Sequence, residues 1–345
     1  MELACSRRVL RKRRPLTISR GTSSETENLF VEVRHGSTVG LGEMAPIGYG
    51  QAQTAAGAEA ELVALAGALA GLEPFSLYAV EQAALAAGVC SAARAALNMA
   101  CWDWVGRRVG QPVWRLIGVS GRTAPTSVTV GINPPDRVRE LVCELFAEVG
   151  PGVSLKLKLG SPEGVEADKA SFEAARESLP PGATIRVDAN GGWSDSDAPA
   201  MLRWLAERGC DYAEQPVAFD DAGALECLRE RPLPVYLDES VKDSSDVPKV
   251  APFCDGVNIK LMKCGGISEA LRIVHTARAH RLRTMIGCFS ESSLSIAAAA
   301  QLSELIDAID LDSHLNLVDD PFCGLEMANG CLVCSAGPGL GVLPR

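Results

Sequence analysis

Between residues 153 and 312, short apolar runs recur about every 25 positions, most of them ending in a charged side chain. In chain order they are 153–158 (VSLKLK), 184–190 (TIRVDAN), 211–216 (DYAEQP), 234–240 (PVYLDES), 256–260 (GVNIK), 283–288 (RTMIGC) and 306–312 (IDAIDLD). Each is rich in β-branched or apolar residues and is followed by a stretch long enough for one helix. The run 126–132 (TSVTVGI), with a helical pattern from Pro134 to about Val149, opens the series. Repeated βα units of this length mean parallel strands joined by helical crossovers, and eight of them close a barrel. In such a barrel chemistry sits at the C-terminal strand ends, which here carry Lys156, Lys158, Asp188, Glu214, Asp238, Lys260, Asp310 and Asp312.

Upstream the pattern changes. Residues 15–45 read as an antiparallel hairpin, from PLTIS through the turn-rich stretch 20–24 (RGTSS) into NLFVEVRHG and TVGLGEMAP. The segment 55–69 is rich in Ala, Glu and Leu, and 91–106 carries apolar residues at helical spacing, so both read as helices. Residues 1–118 therefore form an α+β domain ahead of a barrel at 119–317, and the Gly/Pro-rich stretch 318–345 is expected to pack back on the first domain.

Composition narrows the class. The chain has 345 residues, 47% of them apolar and 22% charged, as a globular protein with a large core requires. Its net charge of −10 argues against nucleic acid as the main partner. The 12 cysteines follow no regular spacing and read as free thiols of a reducing, cytoplasmic compartment; Cys331 and Cys334 form a CxxC with no second pair for a zinc site. The basic start (MELACSRRVLRKRRP) lacks the apolar centre of a secretory signal and reads as a first strand over 9–18 with a wet basic face. The apolar run 62–72 is too short to span a bilayer. A soluble protein is expected, with no membrane partner; a homo-oligomer is left open.

Within the barrel, Lys156 and Lys158 alternate with leucines, so period two puts both lysines on the face turned to the barrel mouth. An exposed edge strand with solvated lysines is the alternative, weakened by the charge that neighbouring strands deliver to the same end. Asp188, Glu214 and Asp238 are 26 and 24 residues apart, one βα unit each, which places them on adjacent strands at matching height. Three carboxylates in a partly dry pocket do not all stay ionised without a cation. An all-oxygen set selects a hard ion, Mg²⁺ with Mn²⁺ as substitute. Lys260 follows Asp238 by 22 residues, across the acids from Lys158. A lysine beside a cation and a second lysine is expected to have a lowered pKa, which suits a two-base pair working on opposite faces of one α-carbon.

KLKLG, VDANGGW, EQP, LDES and NIKLMKCGG, in this order and spacing, resemble the enolase superfamily, muconate-lactonising subgroup, together with GLGEMAP, ALNMACWDWVG and the closing PGLGV. The resemblance implies a modified (β/α)₇β TIM-like barrel under an N-terminal α+β capping domain, with Asp188, Glu214 and Asp238 on the metal and Lys158 and Lys260 as acid and base. Lys156 would stabilise the enolate and tune Lys158. The general use of a Lys or His base with Mg²⁺ in this superfamily is established chemistry. Gly287-Cys288 stands where the mandelate-racemase branch has a histidine, and the four histidines (His35, His275, His280, His314) lie off the other strand ends.

Asp310-Leu311-Asp312 resembles the DxD motif of dipeptide epimerases, and alternation turns both acids toward the mouth, where they would hold a substrate α-ammonium. The expected activity is epimerisation of an L,L-dipeptide, Ala-Glu-like or related, at its C-terminal residue through an ene-diolate. Thr129, Cys288 and Arg20 join the expected substrate-facing set, Arg20 as a partner for an acidic side chain or as a brace for its own loop. The alternatives are a muconate-type cycloisomerase, o-succinylbenzoate synthase or N-acylamino acid racemase on the same scaffold. From another class come a Schiff-base aldolase using Lys158 or Lys260 and a non-catalytic barrel.

Overall fold

The computed structural model describes residues 1–219, 221 and 223–345. Three antiparallel strands open the chain in the order β1 (Glu2–Ile18), β2 (Gly21–His35), β3 (Thr38–Met44). The β1–β2 ladder extends to the pair Ile18↔Gly21, so only Ser19 and Arg20 make the turn. The Ser/Thr-rich stretch expected to be loop is thus strand. Its hydroxyl side chains are as compatible with a half-wet ladder as with a turn, and composition does not separate the two.

Helices α1 (Ala55–Leu69), α2 (Leu77–Ala86) and α3 (Ser91–Val109) cover this sheet. The Thr54 hydroxyl caps α1 by accepting from the Gly57 amide at 3.1 Å. The GLG of GLGEMAP has a packing reason. A Cβ on Gly40 or Gly42 would fall 2.0 Å from the carbonyl oxygens of Ala100 or Ala96, so only glycine lets β3 lie on the small-residue face of α3.

The second layer is an eight-stranded parallel sheet in sequence order: β4 (Ser127–Val130), β5 (Ser154–Lys158), β6 (Ile185–Asp188), β7 (Ala213–Glu214), β8 (Val235–Leu237), β9 (Gly256–Ile259), β10 (Arg283–Ile286) and β11 (Ala308–Ile309). Each strand is shorter than its apolar run, and in all but β5 the last residues of the run lie past the strand end. On β5, Leu155 and Leu157 are buried against the outer layer, while Lys156 and Lys158 are buried inside. The barrel floor is filled by Tyr212, Tyr236 and Met285, with the Arg186 guanidinium over the Tyr212 ring at 5.2 Å.

Among the described residues β11 forms no backbone ladder with β4; side chains close the barrel there. The Thr126 hydroxyl accepts from the Leu311 amide at 2.8 Å, the Asp312 carboxylate accepts from the Thr129 amide at 2.7 Å, and the Ser127 hydroxyl donates to Asp310. The C-terminal stretch touches both layers: the Gly330 carbonyl accepts from the Thr126 amide, and the buried Asp103 carboxylate of α3 accepts from the amides of Leu41 and Leu340 and from Arg107. All 12 cysteines are free thiols. Among the described residues no helix is long and apolar enough to cross a membrane.

Candidate active site

A cavity of about 570 Å³ lies between the barrel mouth and the β1–β2 hairpin. Lys156, Lys158, Lys260, Asp310 and Asp312 reach it from the barrel, and Leu16, Ile18, Arg20 and Tyr49 from the capping side. Ladder register sets the acids. Asp188 pairs directly with Glu214, whereas Glu214 pairs with Tyr236, so Asp238 lies two positions farther along its strand and just past its end. The expected matching height holds for the first two acids only; the stagger of barrel strands displaces the third.

Lysines are interleaved among these acids. The Lys158 ammonium donates to Asp188 Oδ2 at 2.6 Å, and Lys260 to Asp238 Oδ2 at 2.7 Å. Lys156 stands 2.6 Å from Asp310 Oδ2, 2.7 Å from Glu214 Oε2 and 3.3 Å from Asp188 Oδ2. Asp188, Glu214 and Asp238 are each 0% exposed, so every charge depends on these pairs. Burial opposes ionisation of Asp188, yet Lys158 and Lys156 pull its pKa down to about 2. Asp238 is also lowered against burial, by Lys260 and Lys263. Glu214 is pushed up to about 7, first by burial and then by Asp188.

The acids act in turn on Lys156 and Lys260. Burial pulls Lys156 and Lys260 down, but the surrounding carboxylates outweigh it and raise both well above the usual lysine value. The protein groups alone therefore keep both amines charged. A lowered lysine pKa needs positive charge the side chains do not supply.

Among the described residues, no three Asp, Glu, His or Cys side chains stand close enough together to form a ready-made ion cage. The donor chemistry nonetheless fits a hard divalent ion. The three acids offer oxygen alone, and Glu214 Oε2, on the cavity side, is buried with the Lys156 amine 2.7 Å away but no directed hydrogen bond. Lys156 and Lys158 hold charge that such an ion would otherwise neutralise.

The two acids of the DxD pair, alike in sequence, differ in place. Asp310 gives one oxygen to Ser127 and the other to Lys156, and Lys156 lowers its pKa against burial. Asp312 accepts from the Thr129 amide through Oδ2 alone, and burial with Asp310 raises its pKa to about 6. Thr129 thus touches Asp312 through its backbone while its residue lines the cavity. The Cys288 thiol donates to the Asp310 carbonyl at 3.5 Å, and burial keeps it protonated. Arg20 donates to Glu239 at 2.7 Å and to the Asn190 carbonyl at 2.9 Å, and lies 4.9 Å over the Tyr49 ring. Of its two expected roles the structure displays the brace.

Sequence reasoning passed over Lys263, Asn258, Gln215 and Glu43. The Gln215 side chain accepts from the Asp238 amide at 3.0 Å. Buried Glu43, from GLGEMAP, accepts from the Ser292 and Ser295 amides and so joins β3 to the start of the helix Ser293–Ala300. Asn258 precedes Lys260 by two and shares its face, a period-two signal that was legible; Glu43 gave no local signal, because its partners lie about 250 residues away.

Two family profiles match the chain: "Mandelate racemase / muconate lactonizing enzyme, N-terminal domain" over residues 3–118 and "Enolase C-terminal domain-like" over 137–345. A hydrophobic dipeptide epimerase of a Flavobacteria bacterium is 49% identical over 335 residues, covering 96% of this chain and 95% of that protein. A hydrophobic dipeptide epimerase of Roseobacter litoralis is 49% identical over 334 residues, covering 96% of each. The crystal structure of a dipeptide epimerase from Enterococcus faecalis, complexed with Mg and L-Leu-L-Tyr, superposes with a TM-score of 0.93 at 30% identity over 99% of this chain and 98% of that one.

Proposed function

The chain belongs to the mandelate racemase/muconate lactonizing enzyme family, and on that premise we propose that it is a Mg²⁺-dependent isomerase that epimerises hydrophobic L,L-dipeptides at the C-terminal residue. The observation that carries this is the pair of buried lysines opening into one cavity from either end of the acid series, Lys158 beside Asp188 and Lys260 beside Asp238. Dipeptide epimerases of 49% identity over nearly the whole chain support the substrate class.

Asp188, Glu214 and Asp238 would hold the ion. Bound there, Mg²⁺ would stabilise negative charge developing on the substrate carboxylate. Lys158 and Lys260 face the two sides of the α-carbon: one takes its proton to leave an ene-diolate, and the other returns a proton from the opposite side. Lys156, charged among Asp310, Glu214 and Asp188, adds a fixed positive group on the Lys158 side. Asp312 accepts the α-ammonium, since among the described residues one of its oxygens has no protein hydrogen bond while both of Asp310's are engaged. Leu16, Ile18, Phe289 and Leu315 give the cavity apolar walls, and Arg20 is already paired with Glu239, which supports apolar over acidic substrate side chains.

The test is a library of L,L-dipeptides in D₂O with Mg²⁺, read by α-deuterium at the C-terminal residue. Dipeptides with two apolar side chains should exchange and epimerise fastest. Turnover confined to N-acyl amino acids, or no exchange with any dipeptide, overturns the reading.

A further inference from the structure

Behind the mouth, out of the cavity, lies a fourth buried lysine that the proton transfer does not use. Lys263 sits in the short helix Leu261–Cys264 and is 5% exposed. Its ammonium is 2.6 Å from Asp238 Oδ1, donates to the Asp238 carbonyl, and donates to the Asn258 carbonyl at 3.0 Å. Two backbone carbonyls accept its hydrogen bonds and a carboxylate oxygen pairs with its charge, all on the side away from the cavity. The same Asn258 turns its side-chain amide onto Glu214 Oε1 at 2.7 Å. The chain of contacts Glu214–Asn258–Lys263–Asp238 thus crosses the ends of β7, β8 and β9 and holds two carboxylates from behind.

We infer that Lys263 and Asn258 are positioning residues, a bracket that fixes the Glu214 and Asp238 carboxylates for the divalent ion. This rests on the metal reading given above. The geometry supports it in two ways. Each acid has one oxygen held by the bracket, Oε1 of Glu214 and Oδ1 of Asp238, which leaves Glu214 Oε2 and Asp238 Oδ2 on the side of Lys156 and Lys260. The lysine is also confined. Its helix begins directly after Lys260 and ends at Gly265, in the left-handed region at φ 97°, so the NIKLMKCGG segment carries a cavity lysine and a bracket lysine within one turn.

The experiment titrates wild type, Lys263→Met and Asn258→Ala with Mn²⁺, followed by electron paramagnetic resonance, with thermal melts of each metal-free protein. Loss of the bracket should weaken Mn²⁺ binding about 10–100-fold, the usual cost of removing a partner behind a metal ligand. Lys263→Arg should recover part of it. At saturating Mn²⁺ both variants should regain most of kcat, and both dipeptide epimers should still exchange their α-proton in D₂O. Asn258→Ala leaves all lysines in place and covers the case in which Lys263→Met fails to fold. Unchanged Mn²⁺ affinity in a folded variant overturns the bracket while leaving the metal reading intact. Loss of exchange from one epimer at saturating Mn²⁺ makes Lys263 a base and overturns it too. No Mn²⁺ binding by the wild type brings down the metal reading and the bracket together.

Discussion

The arc of the barrel from β5 to β9 and the seam where β11 meets β4 use the same residue types for different ends. Along the arc the strands pair by backbone, so side chains at the strand ends are released into the mouth, where Lys158 meets Asp188, Lys156 meets Glu214 and Lys260 meets Asp238. At the seam the backbones do not pair among the described residues, and side chains substitute for the ladder. Asp310 and Asp312 reach back to Ser127 and the Thr129 amide, while Thr126 reaches forward to Leu311. An acid at the end of a barrel strand is free for chemistry only where the backbone has already closed the sheet. Asp310 fails that condition; Asp312 meets it by half.

The largest effects belong to the arc. Asp188→Asn and Glu214→Gln should each lower kcat at least ~10³-fold, the upper scale for removing a group that stabilises developing charge. EDTA should abolish activity, with Mg²⁺ or Mn²⁺ restoring it. Near wild-type turnover by metal-free protein would remove the chemical meaning of the arc. Next come the bases. Lys158→Ala and Lys260→Ala should each cost about 10²–10⁴-fold in epimerisation, and each should retain deuterium exchange into one epimer only. A variant that still exchanges both epimers shows that its lysine serves neither face alone.

The difference between arc and seam also explains what the sequence displayed. The arc is local in chemistry: period-two alternation in KLKLG and the 26- and 24-residue spacings from Asp188 to Glu214 to Asp238 require nothing beyond one βα unit per step. Asn258 was equally visible by its spacing from Lys260. The seam was not, because its bonds join residues about 183 apart, such as Thr129 with Asp312, and no pattern within one strand reveals which acid is spent on closure. Arg20 was hidden for the same reason, since its partner Glu239 lies 219 residues away. The β1–β2 turn was misplaced by a local signal, Ser/Thr composition, that serves strand and loop alike. The lysine protonation states depend on the balance of all surrounding charge, which no stretch of sequence contains.

Asp310 and Asp312 turn the comparison into a direct contrast. Asp310→Asn breaks a buried pair with Lys156 and loosens Ser127. It should lower stability on the order of 3 kcal/mol, the low end for such a break because Glu214 and Asp188 remain beside Lys156. Asp312→Asn should leave stability within about 1 kcal/mol and lower kcat/KM about 10–100-fold, as expected for losing a charge-assisted bond to an ammonium. N-acetylating the dipeptide removes the same charge and should cost as much; applied to Asp312→Asn it should cost little more. Equal turnover of free and N-acetylated dipeptide by the wild type would return Asp312 to the seam and favour an N-acylamino acid racemase.

The smallest effect tests whether the seam is held by neutral groups. His314 sits in the short turn Ser313–Asn316 just after Asp312, and its Nδ1 is buried without a hydrogen-bond partner. Burial lowers its pKa to about 4, with Asp320 opposing in part. The folded chain therefore resists a proton that the unfolded chain takes up near pH 6.5. The contribution of neutral His314 is complete above about pH 6.5 and is lost progressively as the pH falls toward 4, because over that window the unfolded state binds more protons. At pH 5.5 the loss amounts to about 1.4 kcal/mol, roughly 2 °C in melting midpoint for a chain of this length. His314→Gln carries no titrating group, so the gap between its midpoint and that of the wild type should shift in the variant's favour by this amount between pH 7.5 and pH 5.5. Activity at pH 7.5 should change little, since His314 does not line the cavity. A gap that stays constant across those pH values would mean that His314 takes up its proton in the folded seam as readily as in the unfolded chain.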